Sequence, residues 1–278
     1  MSSHPANWYA DPTKRHELRY WDGTKWTDHV SDRGVTSVDP VDQGAAPVQI
    51  NTTADKIQQQ VSGEAPRRSA GIGPVEGGGG TIFTEPILVV NQKAKILEVT
   101  NQYAVFDQRG TQIASVSQVG QSAAKKLLRV VSSLDQFMTH KLEVRDAQGN
   151  LQLVVTRPRK IMKSTVVVED ASGREVGRIV QENMIGKIHF ALESNGQTVG
   201  AIRAENWRAW NFRIEDASGT EVARITKTFE GIAKTLFTTA DNYVVQLHRQ
   251  LAQPLLTLVI ASALSVDTAL KQDARGFG

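Results

Sequence analysis

The sequence of 278 residues contains no cysteine. This absence excludes disulfide bonds, thiolate metal sites, cysteine nucleophiles and S-acylation. The nucleophile elbow, the Walker phosphate loop and the dinucleotide-binding fingerprint are also missing. Six histidines are present without the spacing of metal ligands: His4, His16, His29, His140, His189 and His248. We therefore predict a protein that is not an enzyme and that holds neither a cofactor nor a metal ion.

The sequence also lacks a hydrophobic run long enough to cross a membrane. The most apolar stretch, Leu255–Val266, ends at Asp267 after twelve residues, whereas a spanning helix needs ~20. The N-terminus has neither the basic nor the apolar region of a signal peptide. We therefore expect a cytoplasmic protein whose contact with a membrane is peripheral, at the inner face.

Residues 34–82 contain no aromatic side chain, but they hold nine glycines, including Gly77–Gly80, and four prolines. Such a segment buries too little apolar surface to offset the entropy lost on ordering. We therefore predict a small aromatic-rich β domain at residues 1–33, a flexible linker at 34–83 and a large domain at 84–278. The two domains are expected to behave independently.

Residues 1–33 are rich in aromatic side chains. Asp22-Gly23 is a favoured two-residue turn, because both positions can adopt positive φ, and it predicts a β-hairpin. Five large aromatic residues precede or flank this turn: Trp8, Tyr9, Tyr20, Trp21 and Trp26. We interpret them mainly as the core of a domain that has few residues to bury. The alternative is a surface that binds a peptide of a protein partner.

The N-terminal string has a recognisable spacing. Trp8-Tyr9-Ala10-Asp11-Pro12, followed by Arg19–Gly23 and Trp26-Thr27, resembles a short bacterial domain of unknown function. That domain usually lies at the N-terminus of larger, often membrane-associated proteins. The resemblance gives this segment a context but implies no mechanism for it.

Residues 84–278 repeat one pattern: an alternating apolar run, Asp-x-x-Gly, and a second alternating run. Four full copies and a looser one occur at residues 107–110, 146–149, 170–173, 216–219 and 194–196. Aspartate at the start of a type I turn, with glycine at its fourth position, is typical of a hairpin. The alternation is typical of half-buried strands. With an opening strand near Ile87–Asn91 and a closing strand near Asn242–Leu247, the five hairpins predict about twelve strands.

Twelve twisted strands in one open sheet would leave long exposed edges, so we expect the sheet to close into a barrel. Such a barrel is too wide to be filled by its own side chains. The stretch Leu251–Leu270 is apolar on every side over most of its length, which is typical of a buried helix. The predicted fold class is therefore mainly β: a closed twelve-stranded antiparallel barrel around a buried C-terminal α-helix, plus a small N-terminal β-hairpin domain.

The order of these hairpins, the run from Arg157-Pro158 to Lys163-Ser164 and the closing segment Thr238–Asp267 resemble the phospholipid scramblase and LURP-one-related family. The resemblance covers residues 84–278 and implies a Tubby-like fold, in which a twelve-stranded barrel surrounds a C-terminal helix. It also implies contact with lipid. The themes of the family are lipid movement between leaflets and, for Tubby relatives, phosphoinositide binding.

The same resemblance does not carry over a calcium site. Eukaryotic scramblases have several acidic residues at alternate positions just before the final helix. Here Thr239 and Gln250 stand where carboxylates are expected, and only Asp241 remains. Because calcium needs about six to eight oxygen ligands with several negative charges, we predict that this run does not bind it.

Basic residues suited to phosphate headgroups occur in two runs. Residues 84–278 carry 24 basic and 19 acidic side chains, which suits an anionic partner. The candidates are Arg157, Arg159, Lys160, Lys163, Lys125, Lys126 and Arg129. Each such residue contributes ~1 kcal/mol near an anionic surface. The alternative interpretation is a solvated loop without a ligand.

Trp207 and Trp210, on either side of Arg208 and Ala209, are candidates for a membrane interface. Alternatively, they pack the rim of the barrel. The main functional hypothesis is a non-enzymatic, scramblase-related protein that binds anionic phospholipids peripherally. The alternative is a soluble scaffold that binds a protein partner through its N-terminal domain without lipid contact. No nucleic acid partner is expected.

Overall fold

The computed structural model describes residues 5–12, 16–39, 48, 50, 52–64, 69–92, 102–119, 140–158, 164–183, 189–205, 211–228 and 242–273. Sixteen strands lie in these ranges: β1 (Asn7–Ala10), β2 (Leu18–Trp21), β3 (Trp26–Asp32), β4 (Val35–Val38), β5 (Ile87–Gln92), β6 (Gln102–Phe106), β7 (Gln112–Val119), β8 (His140–Asp146), β9 (Leu151–Arg157), β10 (Thr165–Asp170), β11 (Glu175–Gln181), β12 (His189–Ser194), β13 (Gln197–Ala204), β14 (Asn211–Asp216), β15 (Glu221–Thr228) and β16 (Asn242–Leu247). The two helices in the same ranges are α1 (Ala54–Ser62) and α2 (Leu255–Asp273).

The first four strands form an antiparallel sheet of their own, in which each strand pairs with the next. The predicted hairpin is confirmed, but its turn has four residues, because Trp21 pairs with Trp26. The Oδ1 atom of Asp22 accepts the N–H groups of Thr24 and Lys25, both at 2.8 Å, and thereby holds this longer turn. The sheet continues to Val38, beyond the predicted end at residue 33.

Strands β5–β16 form a closed barrel in which every strand is antiparallel to both neighbours. The strand order follows the sequence. The barrel closes where β16 pairs with β5, with Val245 opposite Leu88. Closure pairs the backbone groups that an open sheet would expose at its edges. The predicted twelve-stranded barrel is confirmed, including its opening and closing strands.

The Asp-x-x-Gly copies form the turns of the barrel hairpins. In the first copy the N–H of Gly110 donates to the carbonyl of Asp107 at 3.1 Å. The Oδ1 atom of Asp107 accepts the N–H groups of Arg109 and Thr111 at 2.9 and 2.8 Å. Gly110 has a φ of +91°, which residues with a side chain rarely adopt. These aspartates and glycines are turn formers, as the sequence predicted.

Helix α2 lies in the core of the barrel. Leu258 and Val259 have no exposed surface and pack among inward-facing strand residues. Two glycines let the wall approach the helix: a Cβ on Gly177 would lie 3.2 Å from Leu258 Cδ1, and one on Gly200 would lie 3.0 Å from Leu255 Cδ1. The predicted buried helix is confirmed. Neither helix among the described residues combines the length and apolar character needed to cross a bilayer.

The barrel has two distinct ends. The hairpin end carries the five turns, and α2 begins there, since Leu255 approaches Gly200 and Gly200 pairs with Asp216 of a turn. The distal end is where six longer connections join the strands: residues 93–101, 120–139, 158–164, 182–188, 205–210 and 229–241. Because consecutive strands run in opposite directions, all six connections attach at the same end.

Part of the predicted linker is packed against the barrel. Helix α1 buries Ile57 and Val61 against the outer face of β5, β6 and β16. Residues 69–76 run beside it, where the N–H of Ile72 donates to the carbonyl of Val61 at 2.8 Å. The expectation of a flexible linker is therefore wrong for residues 52–64 and 69–76, which we call the strap.

The strap is ordered because the barrel wall beneath it is apolar on both faces. Leu88 faces the core, whereas Ile87 and Val89 face outward and are fully buried under α1. Ile57 and Val61 are four residues apart, so they lie on one side of the helix and cover this strip together. The composition correctly indicated that the segment has few apolar side chains. A few are enough, however, to cover the short apolar strip on the outer wall of the barrel.

Candidate functional site

The two ends of the barrel differ in charge. The six distal connections contain eleven lysines and arginines and six aspartates and glutamates. The hairpin end has a nearly balanced charge, with the turn aspartates Asp107, Asp146, Asp170 and Asp216 beside the arginines Arg109, Arg174 and Arg249. A hydrogen bond from the hydroxyl of Ser172 and another from the backbone of Arg174 lower the pKa of Asp170 to about 2, so this carboxylate is charged throughout the physiological range.

The two predicted basic runs attach to neighbouring strands at the distal end. Lys125, Lys126 and Arg129 belong to the connection between β7 and β8, and Arg159, Lys160 and Lys163 belong to the connection between β9 and β10. All six residues lie outside the described ranges. Strands β7, β8, β9 and β10 are consecutive around the barrel, so the two connections start and end side by side.

The predicted aromatic pair belongs to the same end. Trp207 and Trp210 lie in the connection between β13 and β14, also outside the described residues. The strands that flank these three connections all end at the distal end of the barrel. Their order in the sequence alone did not indicate this.

Arg157 is the one headgroup candidate that the described residues include, and it is buried. It is 6% exposed and lies opposite His140 in the pairing of β8 with β9. Its neighbour two positions back, Val155, faces the core, so Arg157 also faces inward. The burial of Arg157 is contrary to its prediction as an accessible headgroup ligand, and the other residues of its run lie outside the described ranges.

Other polar side chains surround the inside of the barrel mouth at the distal end. The Nδ1 atom of His140 lies 2.9 Å from Nε2 of Gln118 on β7. Lys227 lies opposite Tyr243, with its Nζ 5.8 Å from the centre of the Tyr243 ring. Sequence reasoning missed this polar inner mouth, because only the strand register shows which face each residue occupies.

A groove of about 560 Å³ lies on the outer face of β12–β14, beside the distal end. We call it the arginine groove, and it is lined by His189, Arg203, Ala204, Glu205, Arg213 and Glu215. Arg203 and Arg213 share the carboxylate of Glu215, with Nε–oxygen distances of 2.7 and 2.9 Å. Arg224 on β15 holds Glu205 through an Nη1–Oε2 contact of 2.8 Å.

Three arginines form a row across adjacent strands at this groove. Arg203 is directly opposite Arg213, and Arg213 is directly opposite Arg224. Like charges in such positions destabilise a sheet, and here glutamates lie between them. Burial lowers the pKa of Arg224, but Glu205 and Glu221 raise it to a value above the ordinary one. Sequence reasoning missed the row because its members come from three strands.

The five N-terminal aromatic residues are half-buried rather than enclosed. They form edge-to-face pairs between Trp8 and Tyr20 (5.4 Å between ring centres), Tyr9 and Trp26 (6.2 Å), and Trp21 and Trp26 (5.3 Å). On the same sheet Leu18 is 39% exposed and Val38 is 68% exposed. The interpretation of these aromatics as the core of a small domain stays a prediction, and the sheet also presents exposed apolar side chains.

The large side chain that is fully buried in this sheet is Arg19. Its Nε lies 2.9 Å from Asp11 Oδ1, and its Nη2 lies 2.9 Å from Asp39 Oδ2. Its Nη1 donates to the carbonyl oxygens of Thr27 and Asp39. Buried charges persist only when they are paired and hydrogen-bonded. A network of ion pairs thus holds together a sheet that is too small for an apolar core.

In the run considered for calcium, residues 239–241 lie outside the described residues, and these include Thr239 and Asp241. Gln250 is described and exposed. Within the described ranges, no three histidines, aspartates or glutamates are grouped so that they could hold a metal ion. The absence of a calcium site stays a prediction.

Comparison with known proteins divides the chain in the same way. A model of the scramblase family matches residues 78–270, and a model of a protein family of unknown function, DUF2510, matches residues 6–45. The altered inheritance rate of mitochondria protein 25 of Saccharomyces cerevisiae is 23% identical over 239 residues, which cover 67% of this chain and 71% of the yeast protein. An X-ray structure of an Arabidopsis thaliana protein matches with 10% identity and a TM-score of 0.39, over 68% of this chain and 99% of its own. Since the scramblase match includes all twelve barrel strands and most of α2, the chain belongs to the scramblase family.

Proposed function

We propose that the protein binds anionic phospholipids peripherally through the distal end of its barrel, without catalysing a reaction. One observation supports the proposal: the connections that contain six of the predicted basic residues and the tryptophan pair all join strands at the distal end. Membership of the scramblase family supports a lipid-related role. The inner face of the cytoplasmic membrane is the surface that this proposal assigns to the protein.

Electrostatic attraction explains why a common end matters. Each lysine or arginine near an anionic surface contributes ~1 kcal/mol, but the attraction fades over a Debye length of ~8 Å at physiological salt. Basic residues on opposite ends of a barrel would not act on one membrane together. Tryptophan is enriched at the depth of the headgroups, so Trp207 and Trp210 would add an apolar contact at the same end.

Sedimentation with vesicles tests the proposal. We expect the full chain to sediment with phosphatidylcholine vesicles that contain phosphatidylglycerol at low salt, and less so at high salt. Replacing Lys125, Lys126, Arg129, Arg159, Lys160 and Lys163 by glutamine should abolish this sedimentation. A fluorescent-lipid assay in the same vesicles tests the finer proposal that lipid moves between leaflets.

The distal double variant Lys125→Gln/Lys126→Gln removes two of these charges, and its matched control is the replacement of Arg109 and Arg174 at the hairpin end. Both are exposed, and their replacement by glutamine removes positive charge without touching the distal end. Sedimentation of this hairpin variant should equal that of the natural chain. Equal losses in the distal and the hairpin variants would show that only net charge matters, which contradicts the proposal.

A second candidate function comes from the exposed surface of the N-terminal sheet. Leu18 and Val38 are exposed on the sheet that also carries the Trp8–Tyr20 pair, and exposed apolar side chains of this kind suit a peptide of a protein partner. In that case the protein would be a scaffold without lipid contact. The same sedimentation experiment separates the two functions, because a scaffold of this kind would not sediment with vesicles at any salt concentration.

A further inference from the structure

We propose that the arginine groove is a binding site for a phosphate ester that also carries an amine, of the phosphoethanolamine kind. The inference deepens the proposed function and rests on it in one respect, that the ester is the headgroup of a lipid. The groove lies on the wall of the barrel, on strands β12–β14, which the connections with the two basic runs do not join. It therefore adds a recognition site to what is otherwise a purely electrostatic attraction.

The first support is the arrangement of the two arginines. Glu215 receives the Nε atoms of both Arg203 and Arg213. Within the described part of the chain, the side chain of neither arginine forms another hydrogen bond or ion pair, so the Nη groups of both are available. The side chains of Arg203 and Arg213 are 36% and 47% exposed, and solutes can therefore reach them. Glu215 holds two guanidinium groups side by side, as a bound carboxylate or phosphate requires.

Guanidinium groups match phosphate in geometry as well as in charge. Each presents a planar fork of N–H donors that can bind two phosphate oxygens at once. His189 lies in the same lining and offers a further ring nitrogen. Placing arginines directly opposite one another destabilises the sheet, and a bound phosphate would relieve part of that repulsion.

The second support is the balance of charge in the lining. Two arginines face two glutamates there, so a highly charged anion is disfavoured. The side chain of Glu205 uses Oε2 to bind Arg224 and has no other hydrogen-bond or ion-pair partner among the described residues, which leaves Oε1 available. A ligand with a phosphate for the arginines and an ammonium group for Glu205 matches both charges of the groove.

The position of the groove suits a lipid headgroup. Ala204 is the last residue of β13 and Glu205 the first of the connection that follows, while His189 begins β12. The groove therefore opens beside the distal end, which the proposed function directs towards the membrane. A headgroup at that surface would enter the groove without crossing the barrel.

Titration calorimetry with water-soluble probes tests the inference away from any membrane. The full chain should bind phosphoethanolamine saturably and more tightly than glycerol phosphate, which lacks the amine, or ethanolamine, which lacks the phosphate. Arg213→Gln should weaken phosphoethanolamine binding about tenfold, as expected for one charged hydrogen-bonded contact. Arg213→Lys should weaken it almost as much, because lysine keeps the charge but loses the fork.

Arg178→Gln is the matched control. Arg178 is an exposed, glutamate-paired arginine on the outer face of neighbouring β11, and its removal should leave binding unchanged. Equal binding of all three probes, no binding of any, or an equal loss in Arg178→Gln would overturn the inference. Unchanged melting temperatures of the variants would show that they are folded.

The sedimentation and calorimetry results together distinguish the proposal about the groove from the proposed function. If anionic vesicles sediment the chain but phosphoethanolamine does not bind, the inference about the groove is wrong and the proposed function stands. If phosphoethanolamine binds while no vesicle sediments the chain, the proposed function is wrong and the groove serves a water-soluble ester. Phosphatidylethanolamine vesicles that bind the natural chain better than Arg213→Gln at high salt would identify the lipid headgroup as the source.

Discussion

At the scale of single residues, the N-terminal sheet depends on a few charged side chains. Arg19 is enclosed by Asp11 and Asp39. His16 joins the same network, with Nδ1 2.7 Å from Asp32 Oδ2 and Nε2 3.2 Å from Asp39 Oδ2. The hydrogen bond to Asp39, helped by Asp32 and opposed by burial, raises the pKa of His16 above its ordinary value.

The raised pKa of His16 predicts that the N-terminal sheet loses stability as the pH rises. A group with a folded pKa above its unfolded value stabilises the fold fully below the unfolded value, ~6.5 for histidine. That contribution is lost as the pH rises through the folded pKa. We therefore expect the near-ultraviolet circular dichroism of the sheet to melt at a higher temperature at pH ~5.5 than at pH ~8.

The control for this prediction is a second histidine of the sheet. His29→Gln, at an exposed position, should keep the pH dependence, whereas His16→Gln should remove it. The same pH dependence in the His16→Gln variant would show that another group is responsible.

At the scale of elements, α2 fills the barrel. Val259 has no exposed surface, so Val259→Asp would bury an unpaired carboxylate. Burial of an unpaired polar group costs roughly 2–7 kcal/mol and that of a charge more, against a typical total stability of ~5–15 kcal/mol. We predict that Val259→Asp, and truncation after Gln250, unfold the barrel in circular dichroism.

Val259→Thr separates charge from shape in this prediction. Threonine has nearly the volume of valine and no charge, so its effect on the melting temperature should be much smaller. The full-length chain should purify without detergent. A truncated chain that stays folded, beside a full-length chain that needs detergent, would contradict the assignment of α2 to the core.

The strap gives a second prediction at this scale. Deleting residues 1–47 should leave the melting temperature of the barrel nearly unchanged, because the strap remains. Deleting residues 1–80 should lower it by several degrees, since burial of each large apolar side chain is worth ~1.5–3 kcal/mol and each kcal/mol shifts the midpoint by ~2–4 °C in a domain of this size.

Ile57→Ala should reproduce part of the loss, and Gln58→Ala, at an exposed position of the same helix, should not. Equal melting temperatures for both deletions would show that the strap does not stabilise the barrel.

These elements show which features the sequence determines locally. The hairpins were predictable because Asp107 and Gly110 form a turn with their own neighbours in the chain. The strap was not, because Ile57 is buried only by residues such as Val89 and Val244 on an outer wall that exists after the barrel has closed. The arginine groove escaped prediction for the same reason. Its residues lie on three strands, and only their register brings Arg203 and Arg213 together.

At the scale of the whole molecule, membrane contact is expected to depend on charge and not on calcium. Thr239 and Gln250 do not supply the carboxylates that calcium needs. Millimolar calcium should therefore neither raise the melting temperature nor increase sedimentation with vesicles. Saturable calcium binding in calorimetry, lost in Asp241→Ala, would contradict this.

The orientation of the barrel on the membrane is the central claim, and the lack of cysteine makes it directly measurable. Glu182→Cys at the distal end and Ser172→Cys at the hairpin end each introduce one exposed residue that can carry an environment-sensitive fluorophore. On addition of phosphatidylglycerol vesicles at low salt, the emission of the label at residue 182 should shift to the blue and the emission at residue 172 should not. A shift at residue 172 alone, or at neither position while the chain sediments with the vesicles, would contradict docking through the distal end.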